Sequence, residues 1–205
     1  MRPNENWENL KIVNSNRELN VGEHRVMKEW ETPLMEFMAN RLVEFTKKGR
    51  IIEVGFGMGI SASFIQENGV NSHTIIEPHP EIFEKAELWK EERVDRSINL
   101  VNGYWQENLE LFVDCDGVFF DTYAPTIDYL ITENVNFINT VSEYMKKGAS
   151  IALFWILPTL DEEQQVALFK KFSKVYIEPV YLNPGETSVS DITEQGFLLS
   201  IIATK

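Results

Sequence analysis

Five short apolar runs punctuated by helical stretches set the terms for any fold this chain adopts. They read RIIEV (residues 50–54), SHTIIE (72–77), SINLVNG (97–103), GVFFD (117–121) and GASIALFWI (148–156). Runs of this length, bounded by turn residues, are buried strands. The spacing predicts helices over 61–68, 80–92, 134–147 and 161–172, with Asp161 capping the last. KVYIEPVYL (174–182) and GFLLSIIA (196–203) add two closing strands, separated by the turn-rich NPGETSVSD. Strands alternating with helices in this way predict an α/β fold: a seven-stranded, mostly parallel sheet with helices on both faces.

Upstream of the first strand the rhythm is different. Val26, Met27, Trp30, Leu34, Phe37, Met38, Leu42 and Phe45 recur at steps of three and four, which predicts an N-terminal helical cap over 22–47. Pro33 interrupts it, so two helices or a kink are expected near Thr32. Residues 1–20 are polar with scattered aromatics and read as a loosely held arm, with Trp7 conspicuous. At 205 residues the chain reads as one domain, arm and cap over 1–47 and core over 48–205.

The formal net charge of -13 argues against nucleic acid and against anionic membrane surfaces as partners. The single cysteine, Cys115, permits no internal disulfide and reads as packing. No secretory pattern opens the sequence and no run is long enough to span a membrane, so the expected address is the cytoplasm. His24, His73 and His79 show no ligand spacing, and no metal site is expected.

In a parallel sheet of this kind ligands bind beyond the carboxyl ends of the strands. The loop after the first strand carries Gly55, Gly57 and Gly59, with Glu53 just before them. A dinucleotide fingerprint would place its third glycine at position 60, where Ile60 stands instead. Glu77 ends the second strand, where a carboxylate can accept two hydrogen bonds from ribose hydroxyls. The E-x-G-x-G-x-G order with Glu77 resembles the first motif of class I S-adenosylmethionine-dependent methyltransferases, whose sheet is Rossmann-like. Such a cofactor carries an amino-acid tail, a sulfonium and a ribose. The resemblance gives Glu53 the tail's ammonium.

Further segments narrow the resemblance. VMKEWETPLM (26–35), EVGFGMGISAS, IIEPHP, GYWQ and FFDTYAP follow the order of the guanidinoacetate N-methyltransferases and of the related fungal arginine N-methyltransferases. The similarity runs from about Trp7 to Phe154. It implies that Glu31 and Asp121 bind the substrate guanidinium. It implies also that Trp7, Met27, Met35, Phe56, Met58, Ile60, Ser61, Pro78, His79, Trp105 and Gln106 contact S-adenosylmethionine together with the glycines and Asp121.

The chemistry of the acceptor suits those residues. A guanidinium stays protonated and is a poor nucleophile, and its planar fork of donors matches carboxylates. Asp121, at a strand end, is the expected base and Glu31 completes the clamp. Trp30, Tyr123 and Trp7 can wall off water and face the cations. The family's C-N-L-T-like segment, which anchors the acetate of guanidinoacetate, is replaced here by Trp155, Ile156, Leu157 and Pro158. Proline has no N–H to donate. This favours L-arginine over guanidinoacetate as the small guanidino substrate, with Leu157, Pro158 and the NPGETSVSD loop as candidate walls. A methyltransferase for another cation, and a silent cofactor-binding protein, are the alternatives. Monomer and homodimer are both compatible with the sequence.

Overall fold

The computed structural model describes residues 7–15, 17–93, 97–182 and 196–205. The loop at 183–191 lies outside them. The core is a seven-stranded sheet made of β4 (Arg50–Val54), β5 (Ser72–Glu77), β6 (Ile98–Asn102), β7 (Gly117–Phe120), β8 (Ser150–Leu153), β9 (Lys174–Tyr181) and β10 (Phe197–Thr204). Their order is β6-β5-β4-β7-β8-β10-β9. The first five pair in parallel, β10 runs antiparallel between β8 and β9, and the expected strand count and direction are met.

Neighbouring residues on each parallel strand face opposite layers, as the two-residue period of a strand requires. Ile51, Ile75, Phe119 and Ala152 join one apolar cluster, while Ile52, Ile76, Val118, Phe120, Ile151 and Leu153 join the other. On the first face pack α1 (Thr32–Phe45), α2 (Ile60–Glu67) and α3 (Pro80–Glu91). On the second pack α4 (Ile127–Tyr144) and α5 (Glu162–Lys171). Asp161 caps α5 as expected, its carboxylate accepting from the Glu163 N–H at 2.8 Å. Helix α4 begins seven residues before the predicted start, with Thr126 accepting from the Tyr129 N–H. Among the described residues no helix is long and apolar enough to cross a membrane.

The N-terminal expectation is corrected. Only the part from Thr32 is an α-helix, and Pro33 marks its first turn. Before it lies a small antiparallel sheet, β1 (Ile12–Asn14), β2 (Glu18–Val21) and β3 (His24–Lys28), followed by a short 3-10 turn over Glu29–Glu31. Val21 pairs with His24 across Gly22 and Glu23, and Gly22 takes the left-handed φ of 58° that a tight hairpin demands. The arm is likewise held: Trp7 is buried in a 3-10 turn over Trp7–Asn9.

Candidate active site

Two cavities open at the carboxyl ends of the parallel strands. The first is bordered by the β4 loop, Glu77 at the end of β5 and Pro78 after it, the 103–106 turn after β6, and α4. The second is bordered by Trp30 and Glu31 on one side and by Phe154 and Ile156 beyond β8 on another. Val26, Met27, Asp121, Thr122 and Tyr123 line both, so the cavities share a wall at the end of β7.

The glycines of the β4 loop are needed first by the chain itself. A Cβ on Gly55 would stand 2.1 Å from the backbone carbonyl oxygen of Asp121, and its φ of +91° disfavours any side chain. A Cβ on Gly57 would lie 2.9 Å from the sulfur of Met27. The Met58 N–H points at that sulfur, 3.3 Å away. The loop thus seats β7 and β3 against itself, and Asp121 reaches the seam between the cavities because no side chain blocks it.

Glu77 holds the loop from β5. One carboxylate oxygen accepts from the Phe56 N–H at 2.9 Å and the other from the His79 N–H at 2.8 Å. Burial pushes its pKa up to about 7 against these hydrogen bonds, which pull it down. Asp121 is raised to about 7 as well, by burial first and by the charge of Glu53 second. Its side chain has no hydrogen bond or ion pair among the described residues. A buried carboxylate without a partner is costly to ionise, which is why its pKa rises.

Glu31 sits at the end of the 3-10 turn, where its Oε1 accepts from the Lys28 N–H at 3.1 Å. That bond fixes it in the wall of the second cavity, with Trp30 beside it. Over the first cavity Trp7 stacks on Tyr123, with ring centroids 5.0 Å apart and planes 12° from parallel. The Tyr123 hydroxyl meets His24 Nδ1 at 2.9 Å, and the His79 ring stands edge-on to Trp7.

Several expected contacts fall elsewhere. Glu53 is fully buried behind the loop and borders neither cavity. Its Oε1 accepts from the Ser61 hydroxyl at 2.5 Å, and its Oε2 is 2.9 Å from His73 Nε2, off the line of a hydrogen bond. It ties β4 to the first turn of α2 and to β5. Met35 is in the α1 core, and Met58, Gly59, Ile60, Ser61 and His79 do not line the first cavity. Leu157 and Pro158 also lie outside the second cavity. The two-residue alternation of β8 continues past its end, so Phe154 and Ile156 face the cavity while Trp155 and Leu157 pack on the opposite layer.

The sequence reading missed Glu133, Tyr129, Tyr104, Thr122, Val26 and Ile82 in the first cavity. Glu133 and Tyr129 lie four apart on α4 and share a face, a signal hidden by starting that helix at 134.

A glycine loop, an acid ending the next strand and a cavity spanning the strand ends define a class I S-adenosylmethionine-dependent methyltransferase. A family model for guanidinoacetate N-methyltransferase matches residues 4–205, and the chain belongs to that family. Among curated relatives it is 33% identical over 108 residues to protein arginine N-methyltransferase 2 of Candida glabrata, covering 48% of this chain and 26% of that one. The chain therefore spans about a quarter of that relative's length. Among solved structures, spermidine synthase from Thermotoga maritima superposes with a TM-score of 0.69 at 14% identity, over 95% of this chain and 72% of that one. A precorrin-6y C5,15-methyltransferase from Geobacter metallireducens gives 0.63 at 16% identity, over 95% and 94%. The cofactor is S-adenosylmethionine, and the residues present fit it. Glu77 can accept from ribose hydroxyls, and the buried Gln106 Oε1 has no partner among the described residues.

Proposed function

We propose that this methyltransferase acts on a guanidino nitrogen of a small molecule, L-arginine ahead of guanidinoacetate. One observation carries the reading: Glu31 and Asp121 line a single cavity that joins the cofactor cavity at Asp121. A guanidinium donates its planar N–H fork to the two carboxylates, and this aims one nitrogen across the seam. Bound S-adenosylmethionine supplies a methyl group on a sulfonium, which leaves as a neutral thioether. As the N–C bond forms, the attacking nitrogen's proton becomes acidic, and Asp121 accepts it. A carboxylate with a pKa of about 7 is a suitable acceptor near neutral pH. Holding both reactants in line contributes on the order of 7–11 kcal/mol at best. Trp30, Tyr123 and Trp7 exclude water from the seam.

Arg25 and Lys28 line the same cavity as Glu31, two cations in a chain of net charge -13. They suit an acceptor with an acid at its far end, as free arginine has. The name of the fungal relative favours a second reading, arginine within a protein. Release of S-adenosylhomocysteine from a panel of L-arginine, guanidinoacetate, agmatine and an arginine-containing peptide separates the two. Turnover with L-arginine, and several-fold less with agmatine, is expected. Turnover with the peptide alone selects the second reading, and no turnover with any guanidino compound removes both.

A further inference from the structure

The amide of Gln106 has a donor on one side and an acceptor on the other, so its orientation decides what the cofactor cavity can recognise. Glu133, on α4, is 6% exposed and borders that cavity. Its Oε1 accepts two hydrogen bonds, from Trp105 Nε1 and from Gln106 Nε2, each at 3.0 Å. That oxygen takes both N–H donors, so Gln106 turns its NH₂ toward Glu133 and its carbonyl oxygen away. That oxygen is buried and has no partner among the described residues. A buried acceptor without a donor is costly to keep, and a ligand N–H would relieve it.

The sheet order says which part of the cofactor arrives there. The glycine loop follows β4, Glu77 ends β5, and Trp105 and Gln106 follow β6, the next strand outward. A ribose held at Glu77 with its tail over β4 puts the attached base over the turn after β6. Trp105 itself is fixed edge-on to Phe137 and Phe120 in the core, so Gln106 hangs from a rigid plate.

We propose that Glu133 is a positioning residue: by taking both donors it locks the Gln106 carbonyl oxygen toward the cofactor's base, and so selects the 6-amino group of adenine over a 6-oxo purine. Glu133 touches no reacting atom. It acts through Gln106.

The test is a pair of dissociation constants, measured calorimetrically, for S-adenosylhomocysteine and its 6-oxo counterpart S-inosylhomocysteine. The wild-type protein should prefer the amino base by about tenfold or more, because a polar group is left unpaired with the wrong ligand. In Glu133→Leu neither donor is held and Gln106 is free to flip, so the preference should fall to within about threefold. Gln106→Leu should lose the preference too while keeping the Trp105 contact to Glu133. Equal affinities in the wild type overturn the proposal without any variant. So does a Glu133→Leu protein that changes both affinities by the same factor, which is what a purely structural role would do. Should Glu133→Leu fail to fold, Glu133→Asp, whose shorter side chain cannot keep both donors in place, is measured instead with the same two outcomes.

Discussion

Asp121 has no hydrogen bond or ion pair among the described residues, and its behaviour with pH follows from its burial. Its pKa of about 7 means that below neutrality the free enzyme holds it protonated and unable to accept a proton. The kcat/KM for the proposed guanidino acceptor should therefore rise with pH and level off above about 7. Asp121→Asn should lose most turnover while cofactor affinity, measured calorimetrically, stays within a few-fold. Retained turnover would remove Asp121 as the base. Glu31→Gln should raise acceptor KM or abolish turnover, and unchanged kinetics would return Glu31 to a merely structural place in the 3-10 turn. Asp121 and Glu77 were legible in the sequence because each ends a strand whose apolar run is plain. Glu53 was not, because an acid inside such a run can face a ligand or a buried partner. Only the packing of Ser61 and His73 against it decides.

At the level of elements, the glycine loop is a junction as well as a ligand cradle. Gly55→Ala should destabilise the protein by at least about 2 kcal/mol in urea denaturation. A left-handed φ alone costs roughly 1–2 kcal/mol, and the Asp121 carbonyl leaves no room for the methyl. Trp7→Ala should weaken S-adenosylhomocysteine binding by roughly three- to tenfold, the worth of one aromatic contact. An unchanged affinity would place Trp7 outside the cofactor's reach. The core elements were readable from periodicity within a few residues, apart from the early start of α4. The β-sheet at 12–28 was not. Val26, Met27 and Trp30 fit a helical step as well as a strand step, and Pro33 was compatible with two helices or a kink, of which the structure keeps the helix that begins at Thr32. The pair Gly22–Glu23 between two short alternating runs was the hairpin signal.

For the whole molecule, two raised carboxylates make the ligand-free protein sensitive to pH in a defined direction. Unfolded Asp and Glu titrate near 4, while folded Asp121 and Glu77 titrate at about 7. Between about pH 4 and 7 the folded state binds more protons, so these groups contribute stability at low pH that is lost as pH rises through 7. Asp121→Asn removes one of them. Its Tm at pH 8 should exceed that of the wild type by several °C, and the gap should narrow as pH falls through 7 and close near pH 4. The site thus trades stability for a charge placed where the proposed guanidinium would bind. The most direct measurement of that placement is a crystal structure with S-adenosylhomocysteine and L-arginine bound. The guanidinium should lie within about 3 Å of carboxylate oxygens from both Glu31 and Asp121, with one nitrogen facing the sulfur. An arginine bound with its guanidinium away from these two acids would contradict the account.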